Sequence, residues 1–231
     1  MDLAFSSATE LVAAIRDRKI SAVEALDAHL AQIDRHNEAV NAVVTLDREG
    51  ARQRAGKADE AQARGEALGP LHGVPFTLKD THETAGMRTT VGFPAFADYA
   101  ARADSPVVAR LKAAGGILVG KTNVATMLSD WQSSNPLFGR TGNPWDLQRT
   151  AGGSSGGAAA ALSAGMTPFE VGTDMQDSIR LPAAFCGVYG LKPTEHRVSL
   201  AGAFPDPGGA PRSVRRISAS DRWRAASKTW Y

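Results

Sequence analysis

The sequence lacks the features that mark several classes of protein. Its one cysteine, Cys186, excludes an internal disulfide framework and fits a reducing compartment. Lysine and arginine (26) nearly balance aspartate and glutamate (24), so no strong basic field points to nucleic acid. No stretch reaches the roughly 18 uncharged apolar residues of a membrane span, and no signal peptide opens the chain. We therefore expect a cytoplasmic protein that binds neither nucleic acid nor membranes.

The apolar content is sufficient for a buried core. The chain has 231 residues, of which 43% are hydrophobic, so it can form one domain or a large part of one. Cys186 lies between Phe185 and Gly187 in an apolar stretch. We expect a buried small side chain at this position rather than a catalytic thiol.

Helical and strand patterns alternate along the chain. Ser21 and Glu24 have the spacing of a capping box, and Pro106 follows the N-cap candidate Ser105 at the first helical position. The predicted helices cover residues 8–18, 21–37, 48–64, 105–115 and 158–164, and the predicted strands cover 40–46, 74–78, 117–119 and 169–172. This alternation predicts an α/β fold with a mixed, largely parallel β-sheet flanked by helices.

One nucleotide-binding pattern is present. Residues 115–122, Gly-Gly-Ile-Leu-Val-Gly-Lys-Thr, satisfy the P-loop consensus, which functions only as a loop that wraps phosphates between a strand and a helix. Here the apolar residues between the glycines favour a strand, and no acidic residue for magnesium is evident. We therefore reject a P-loop nucleotide binder as the main interpretation. It would require thermal stabilisation by ATP that is lost in Lys121→Ala.

A glycine-rich segment contains two adjacent serines. Ser154 and Ser155 precede an alanine run, where glycines let backbone N–H groups approach a reacting group and a helix start favours negative charge. Ser178 follows in a second motif, and Lys79 ends an apolar strand. A neutral Lys79 could take a proton from Ser178 through Ser154, while the N–H groups of residues 175–178 receive an oxyanion. From the residues alone, a flexible linker, a solvated lysine and a helix-capping serine remain open.

Several long motifs carry a resemblance to a known family. They are Gly-Val-Pro-Phe-Thr-Leu-Lys-Asp (73–80), Gly-Gly-Ser-Ser-Gly-Gly (152–157), Gly-Thr-Asp-Met-Gln-Asp-Ser-Ile-Arg-Leu-Pro-Ala (172–183) and Phe-Cys-Gly-Val-Tyr-Gly-Leu-Lys-Pro-Thr (185–194). Supporting stretches are Gly-Lys-Thr-Asn (120–123) and Phe-Gly-Arg-Thr-Gly-Asn-Pro-Trp-Asp (138–146). Over about residues 8–216 the sequence resembles the amidase signature family.

The resemblance implies a role for each candidate residue. Ser178 is the nucleophile that forms an acyl-enzyme, Ser154 is a bridging serine that follows a cis peptide bond from Gly153, and Lys79 is the base. The implied oxyanion hole consists of the backbone N–H groups of Met175, Gln176, Asp177 and Ser178. Supporting, structural roles fall to Ser155, Thr173, Asp174 and Arg180. The implied reaction is hydrolysis of a small-molecule carboxamide, with no metal ion and no organic cofactor.

The sequence departs from the family pattern beside the nucleophile. Gln176 and Asp177 occupy positions at which similar proteins have two glycines. A side chain there opposes a tight backbone path, and Asp177 places negative charge beside a developing anion. Loss of one oxyanion donor lowers the rate by roughly 10²–10³-fold.

The second departure concerns length, because family members are much longer. Residues 1–216 are interpreted as the N-terminal portion of a single amidase signature domain, and residues 217–231 as an aberrant, disordered tail. A frameshift near Arg216 would explain the change, and the nucleotide sequence would test it. We expect such a chain to expose apolar surface and to self-associate, as a homo-oligomer or otherwise.

Two functional hypotheses follow. The first is an amidase that acts through a seryl acyl-enzyme, and the second is a catalytically impaired or inactive remnant of one. Within the enzyme class, the amidase component of a tRNA-dependent amidotransferase shares the same motifs.

Overall fold

The computed structural model describes residues 2–204 and 219–224. Its α-helices are α1 (Ala8–Arg16), α2 (Ala22–Val40), α3 (Arg48–Ala63), α4 (Pro106–Ala113), α5 (Gly156–Ser163) and α6 (Arg180–Cys186). Its strands are β1 (Val43–Leu46), β2 (Pro75–Lys79), β3 (Ile117–Thr122), β4 (Ser134–Asn135), β5 (Gly139–Arg140), β6 (Gly142–Asn143), β7 (Asp146–Thr150), β8 (Phe169–Asp174), β9 (Tyr189–Gly190) and β10 (Ala219–Arg224). Single 3₁₀ turns occur at Leu3–Phe5, Pro94–Phe96 and Thr126–Leu128.

The main sheet has the strand order β1-β3-β2-β8-β10-β9. At its centre β2 pairs in parallel with both β3 and β8. The outer strands β1, β10 and β9 join through antiparallel pairs. The predicted α/β fold, with a mixed sheet flanked by helices, is confirmed.

Local capping signals begin the helices where the sequence predicts them. The Ser21 side chain accepts a hydrogen bond from the Glu24 N–H, and the Glu24 carboxylate accepts one from the Ser21 N–H. Ser105 caps α4, with Pro106 at its first position. The main boundary errors are in α2, which continues to Val40 so that β1 begins only at Val43, and in β3, which continues beyond residue 119; α5 also begins before residue 158. β3 is longer than predicted because it follows β2 to the Lys79–Thr122 pair.

The P-loop pattern forms a strand, as the sequence predicts. All six residues of β3 are buried. The Lys121 ammonium donates hydrogen bonds to the His82 carbonyl oxygen at 2.6 Å and to the Thr89 hydroxyl at 3.1 Å. Lys121 is therefore a buried structural side chain, and no phosphate-binding loop exists at this position.

The core occupies both faces of the sheet. One cluster includes side chains of α2, α5 and β3, and the other includes side chains of α1, α4 and β2. Each buried leucine or phenylalanine contributes roughly 1.5–3 kcal/mol relative to exposure. All five residues of β2 are buried, so the strand delivers Lys79 at its end into the protein interior.

The C-terminal region contains a strand that the sequence does not predict. Residues 219–224 form β10 against β8, whereas the sequence predicts a disordered tail over 217–231. The other tail residues, and the boundary near Arg216, lie outside the described residues and stay a prediction.

Several apolar side chains are exposed at the surface, including Trp145, Tyr189 and Leu191. Self-association through this surface stays a prediction. Among the described residues, no helix is long and apolar enough to cross a membrane.

Candidate active site

Lys79 lies at the end of β2 with its amine directed at the glycine–serine segment. Its side chain is fully buried. The Nζ atom lies 2.7 Å from Ser154 Oγ, 2.9 Å from Thr173 Oγ1 and 3.3 Å from the Thr173 carbonyl oxygen. The sheet therefore brings together a lysine and a serine that are 75 positions apart in the chain.

Burial changes the chemistry of this amine. It lowers the pKa of Lys79 to about 7, although the charges of Asp174 and Glu170 favour the protonated form. A neutral amine has two N–H donors and one lone pair. In the structure the Lys79 amine donates to both oxygen atoms of Thr173 and to Ser154 Oγ, and in the neutral form its lone pair replaces the donor toward Ser154. With a pKa of about 7, the Lys79 amine is neutral in about half of the molecules near pH 7, and in that form it can accept a proton from Ser154.

The glycine–serine segment is a tight turn that leads into α5. The peptide bond between Gly153 and Ser154 is cis, as the resemblance predicts. A Cβ atom at Gly152 would lie 2.8 Å from Pro182 Cα, and one at Gly153 would lie 2.6 Å from the backbone of the segment that contains Trp131. Glycines are required here because two other backbone segments pack against the turn.

Ser178 lies between β8 and α6, beside this turn. Its carbonyl oxygen accepts a hydrogen bond from the Ser155 N–H at 3.2 Å, and its side chain is largely buried. Among the described residues, the Ser178 hydroxyl makes no hydrogen bond. The structure therefore brings Lys79 and Ser154 into direct contact and places Ser178 next to them through the backbone, without a hydroxyl–hydroxyl contact.

The loop before Ser178 offers free backbone donors. Within the part of the chain that the structure describes, none of the N–H groups of residues 175–178 donates a hydrogen bond. Asp177 has φ +63°, a left-handed conformation that suits glycine and that Asp and Asn tolerate better than most residues. The indole N–H of Trp131 donates to the Gln176 carbonyl oxygen at 2.9 Å. Because carbonyl and N–H point in opposite directions across a trans peptide, this contact fixes the direction of the Asp177 N–H.

Asp174 and Arg180 hold the two ends of this loop together. The Asp174 carboxylate accepts hydrogen bonds from the N–H groups of Ile179 and Arg180 and from the Arg180 guanidinium. Burial alone would raise the pKa of Asp174, but these hydrogen bonds lower it below its usual value. The guanidinium also pairs with Asp177 Oδ1 at 3.0 Å, so the negative charge of Asp177 faces Arg180.

Two further candidates have clear positions. The Ser155 hydroxyl donates a hydrogen bond to the Thr173 carbonyl oxygen at 3.3 Å, and Thr173 in turn contacts the Lys79 amine.

Cys186 is buried, and burial raises the pKa of its thiol to about 12, so the prediction of a buried small side chain is confirmed. Among the described residues, no group of three His, Cys, Asp or Glu side chains could hold a metal ion.

Two further residues of this region, Trp131 and Glu170, lie outside the motifs of the sequence. Trp131 gave no signal, because its contact with Gln176 spans two distant loops. Glu170 is a charged residue inside the apolar strand β8, and that anomaly is visible in the sequence. Its carboxylate is fully buried and accepts hydrogen bonds from the hydroxyls of Thr77 and Thr122.

Comparison with known proteins identifies the family of this chain. A family model described as Amidase matches residues 24–216. An acylamidase of Rhodococcus erythropolis is 44% identical over 206 residues, which are 88% of this chain and 43% of that protein. A glutamyl-tRNA(Gln) amidotransferase subunit from Streptomyces coelicolor is also 44% identical, over 87% of this chain and 40% of its own length.

A solved structure of a relative has a similar fold. The structure of 6-aminohexanoate cyclic dimer hydrolase complexed with substrate has a TM-score of 0.86 and 34% identity over 98% of this chain and 45% of its own. The chain thus spans less than half the length of these relatives. Since the family model covers most of the chain, the chain belongs to the amidase (amidase signature) family, whose members include amide-hydrolysing enzymes.

Proposed function

We propose that this protein hydrolyses a small-molecule carboxamide through a seryl acyl-enzyme, with Ser178 as nucleophile, Ser154 as proton relay and Lys79 as base. The observation that carries the proposal is the buried Lys79 amine, 2.7 Å from Ser154 Oγ. The motif that contains Ser178 lies beside this pair, with the Ser155 N–H bound to its carbonyl oxygen.

The reaction starts with attack of Ser178 Oγ on the amide carbonyl carbon. The hydroxyl proton passes to Ser154 Oγ, while the Ser154 proton passes to the neutral amine of Lys79. This transfer requires the two hydroxyls to meet, and such hydrogen bonds often tighten only when substrate is bound. The negative charge on the carbonyl oxygen is received by the free N–H groups of the loop at residues 175–178.

Collapse of this intermediate breaks the C–N bond. The proton on Lys79 returns through Ser154 to the leaving nitrogen, which departs as ammonia or an amine. Water then attacks the ester of Ser178 along the same proton path and releases the carboxylic acid. Thr173 holds the Lys79 amine in place through both of its oxygen atoms, whereas Asp174 and Arg180 hold the loop.

A fluorophosphonate probe tests the identity of the nucleophile. We expect covalent labelling of the intact chain, with fragment spectra that place the adduct on Ser178. Of the serine hydroxyls near Lys79, that of Ser178 makes no hydrogen bond to a described residue, so it is free to attack the probe. Ser178→Ala should abolish labelling, whereas Ser134→Ala, which changes an exposed serine, should not. An adduct on Ser154, or no labelling of the folded wild-type chain, would favour the inactive remnant.

The pH dependence of turnover tests the base. The Lys79 amine accepts a proton only when neutral, and its pKa is about 7. We expect kcat/KM for a neutral amide substrate to fall about tenfold per pH unit below that value and to level off above it. A rate that stays constant between pH 5 and pH 8 in stably folded protein would contradict the role of Lys79.

A component of an amidotransferase is the second candidate. It is favoured by the relatives described as glutamyl-tRNA(Gln) amidotransferase subunits, which match as well as the acylamidase does. In that function the same residues would release ammonia from glutamine. Turnover of simple aliphatic and aryl amides by the isolated chain, without turnover of glutamine, would favour the amidase; the reverse would favour the amidotransferase component.

A further inference from the structure

Glu170 is a buried carboxyl group that the mechanism above does not use. It lies in β8, directly across the sheet from Thr77 of β2. Its oxygen atoms accept hydrogen bonds from Thr77 Oγ1 at 2.7 Å and from Thr122 Oγ1 of β3. No lysine or arginine of the described residues forms an ion pair with it. Two neutral hydroxyls therefore hold a carboxyl group that has no counterion among the side chains that the structure describes.

The same sheet face carries Lys79. Successive side chains of a strand alternate between faces, so Thr77 and Lys79 point to the same side. Thr122 is the cross-strand neighbour of Lys79 on β3. Glu170 thus lies on the same face of the sheet as the base, and its two hydrogen-bond donors, Thr77 and Thr122, lie in β2 and β3 on that face.

We propose that Glu170 is a positioning residue that sets the charge state of Lys79 across the buried sheet, held for this purpose by Thr77 and Thr122. The inference rests on the proposed function insofar as Lys79 is the base.

Electrostatics in this region support the proposal. Burial raises the pKa of Glu170 to about 7, against the opposing effects of the Thr122 and Thr77 hydroxyls, Lys79 and Lys121. Glu170 and Lys79 therefore titrate in the same pH range, and each responds to the charge of the other. Ionised Glu170 favours protonated Lys79, so removal of the carboxylate should release the Lys79 proton at lower pH.

The other charged groups nearby are already compensated or neutral. Asp174, which also faces Lys79, is paired with Arg180. Burial keeps His82, after β2, and His29, on α2, neutral at pH 7, with pKa values of about 3 and about 4. Asp80 is hydrogen-bonded to Thr90 and acts mainly on Lys121, and α5 has no titratable residue. Within the described part of the chain, Glu170 is thus the buried carboxyl group near Lys79 that has no guanidinium partner.

The first test is Glu170→Gln, which keeps the shape and both hydrogen bonds because an amide oxygen accepts from one hydroxyl while its NH₂ group donates to the other. We expect the midpoint of the acid limb of kcat/KM to move to lower pH by roughly half a unit to one unit. The plateau rate at high pH should stay within about threefold of wild type, because Lys79 is neutral there in both proteins. The exposed change Glu38→Gln should leave the midpoint in place.

A second measurement does not depend on turnover. The sequence has seven lysines, so ¹³Cε-labelled lysine resolves the Lys79 signal, which Lys79→Met assigns by its absence. In a Ser178→Ala background, Glu170→Gln should lower the midpoint of this signal by the same amount. If Glu170→Gln does not fold, Thr122→Val serves instead, because loss of one hydroxyl donor disfavours the carboxylate and should shift the midpoint in the same direction.

The outcomes separate the two proposals. A shifted Lys79 signal in a chain without turnover would support the coupling and contradict the proposed function. An unchanged midpoint for Lys79, in both folded variants, would overturn the role of Glu170 and leave the amidase proposal intact. A lower plateau rate with an unchanged midpoint would show that Glu170 is only structural.

Discussion

Replacing Lys79 by methionine is expected to lower kcat/KM for amide hydrolysis by at least about 10³-fold, because the variant retains a long apolar side chain but has no amine to accept the proton. The buried neighbours of the Lys79 amine, Ser154 and Thr173, would keep their positions and lose only a hydrogen-bond partner. Steady-state kinetics at pH 8, normalised to the folded fraction, measure the effect.

Lys121→Met is the matched control for this experiment. Lys121 is as buried as Lys79, and its amine likewise contacts one carbonyl oxygen and one threonine hydroxyl. We expect the two variants to lose similar thermal stability, whereas Lys121→Met should retain turnover per folded molecule. Equal loss of turnover in both variants would attribute the effect of Lys79 to stability and would contradict its role as base.

Restoring glycine at Gln176 and Asp177 is expected to raise kcat by about 10²-fold, since the loop would regain the unhindered oxyanion donors that the family resemblance implies. Asp177 adopts φ +63°, which glycine adopts at no steric cost. The change also removes a carboxylate from beside the developing negative charge. Single-turnover kinetics of the double variant and the wild type measure the gain in the chemical step.

Asp177→Asn separates the two causes. Asparagine tolerates the left-handed conformation as aspartate does, so this variant removes the charge and keeps the side chain. A gain close to that of the double variant would assign the effect to charge, and no gain would assign it to the backbone. A double variant that is no faster than the wild type would contradict an impaired oxyanion hole, because the contacts of Trp131 and Arg180 would then already hold the loop competent.

Local sequence signals predicted much of the fold. The serine caps before α2 and α4 worked because a cap is decided by hydrogen bonds within a few residues. The same locality allowed the P-loop pattern to be rejected, since three apolar residues between its glycines favoured a strand. The predicted ends of strands were less accurate than the predicted caps. β3, for example, is extended by pairing with β2, which is a contact between distant parts of the chain.

The candidate site was predicted by resemblance, and its geometry was not. The motifs identify the serines and the lysine, but no pattern within them indicates that Trp131 fixes the Gln176 carbonyl. Glu170 could have been noticed as the one charged residue of the predicted strand 169–172. Its partners could not, because Thr77 lies 93 positions away in the chain.

The sequence by itself determined the order of helices and strands, the glycines of the turn before α5 and membership of the amidase family. Each of these depends on short-range backbone preferences or on motif residues that can be recognised directly in the sequence. Only the tertiary structure decided that Lys79 is buried and next to Ser154, and that Glu170 lies on the same face of the sheet. Desolvation and charge depend on which strands become neighbours in the sheet, and long-range packing alone fixes that arrangement.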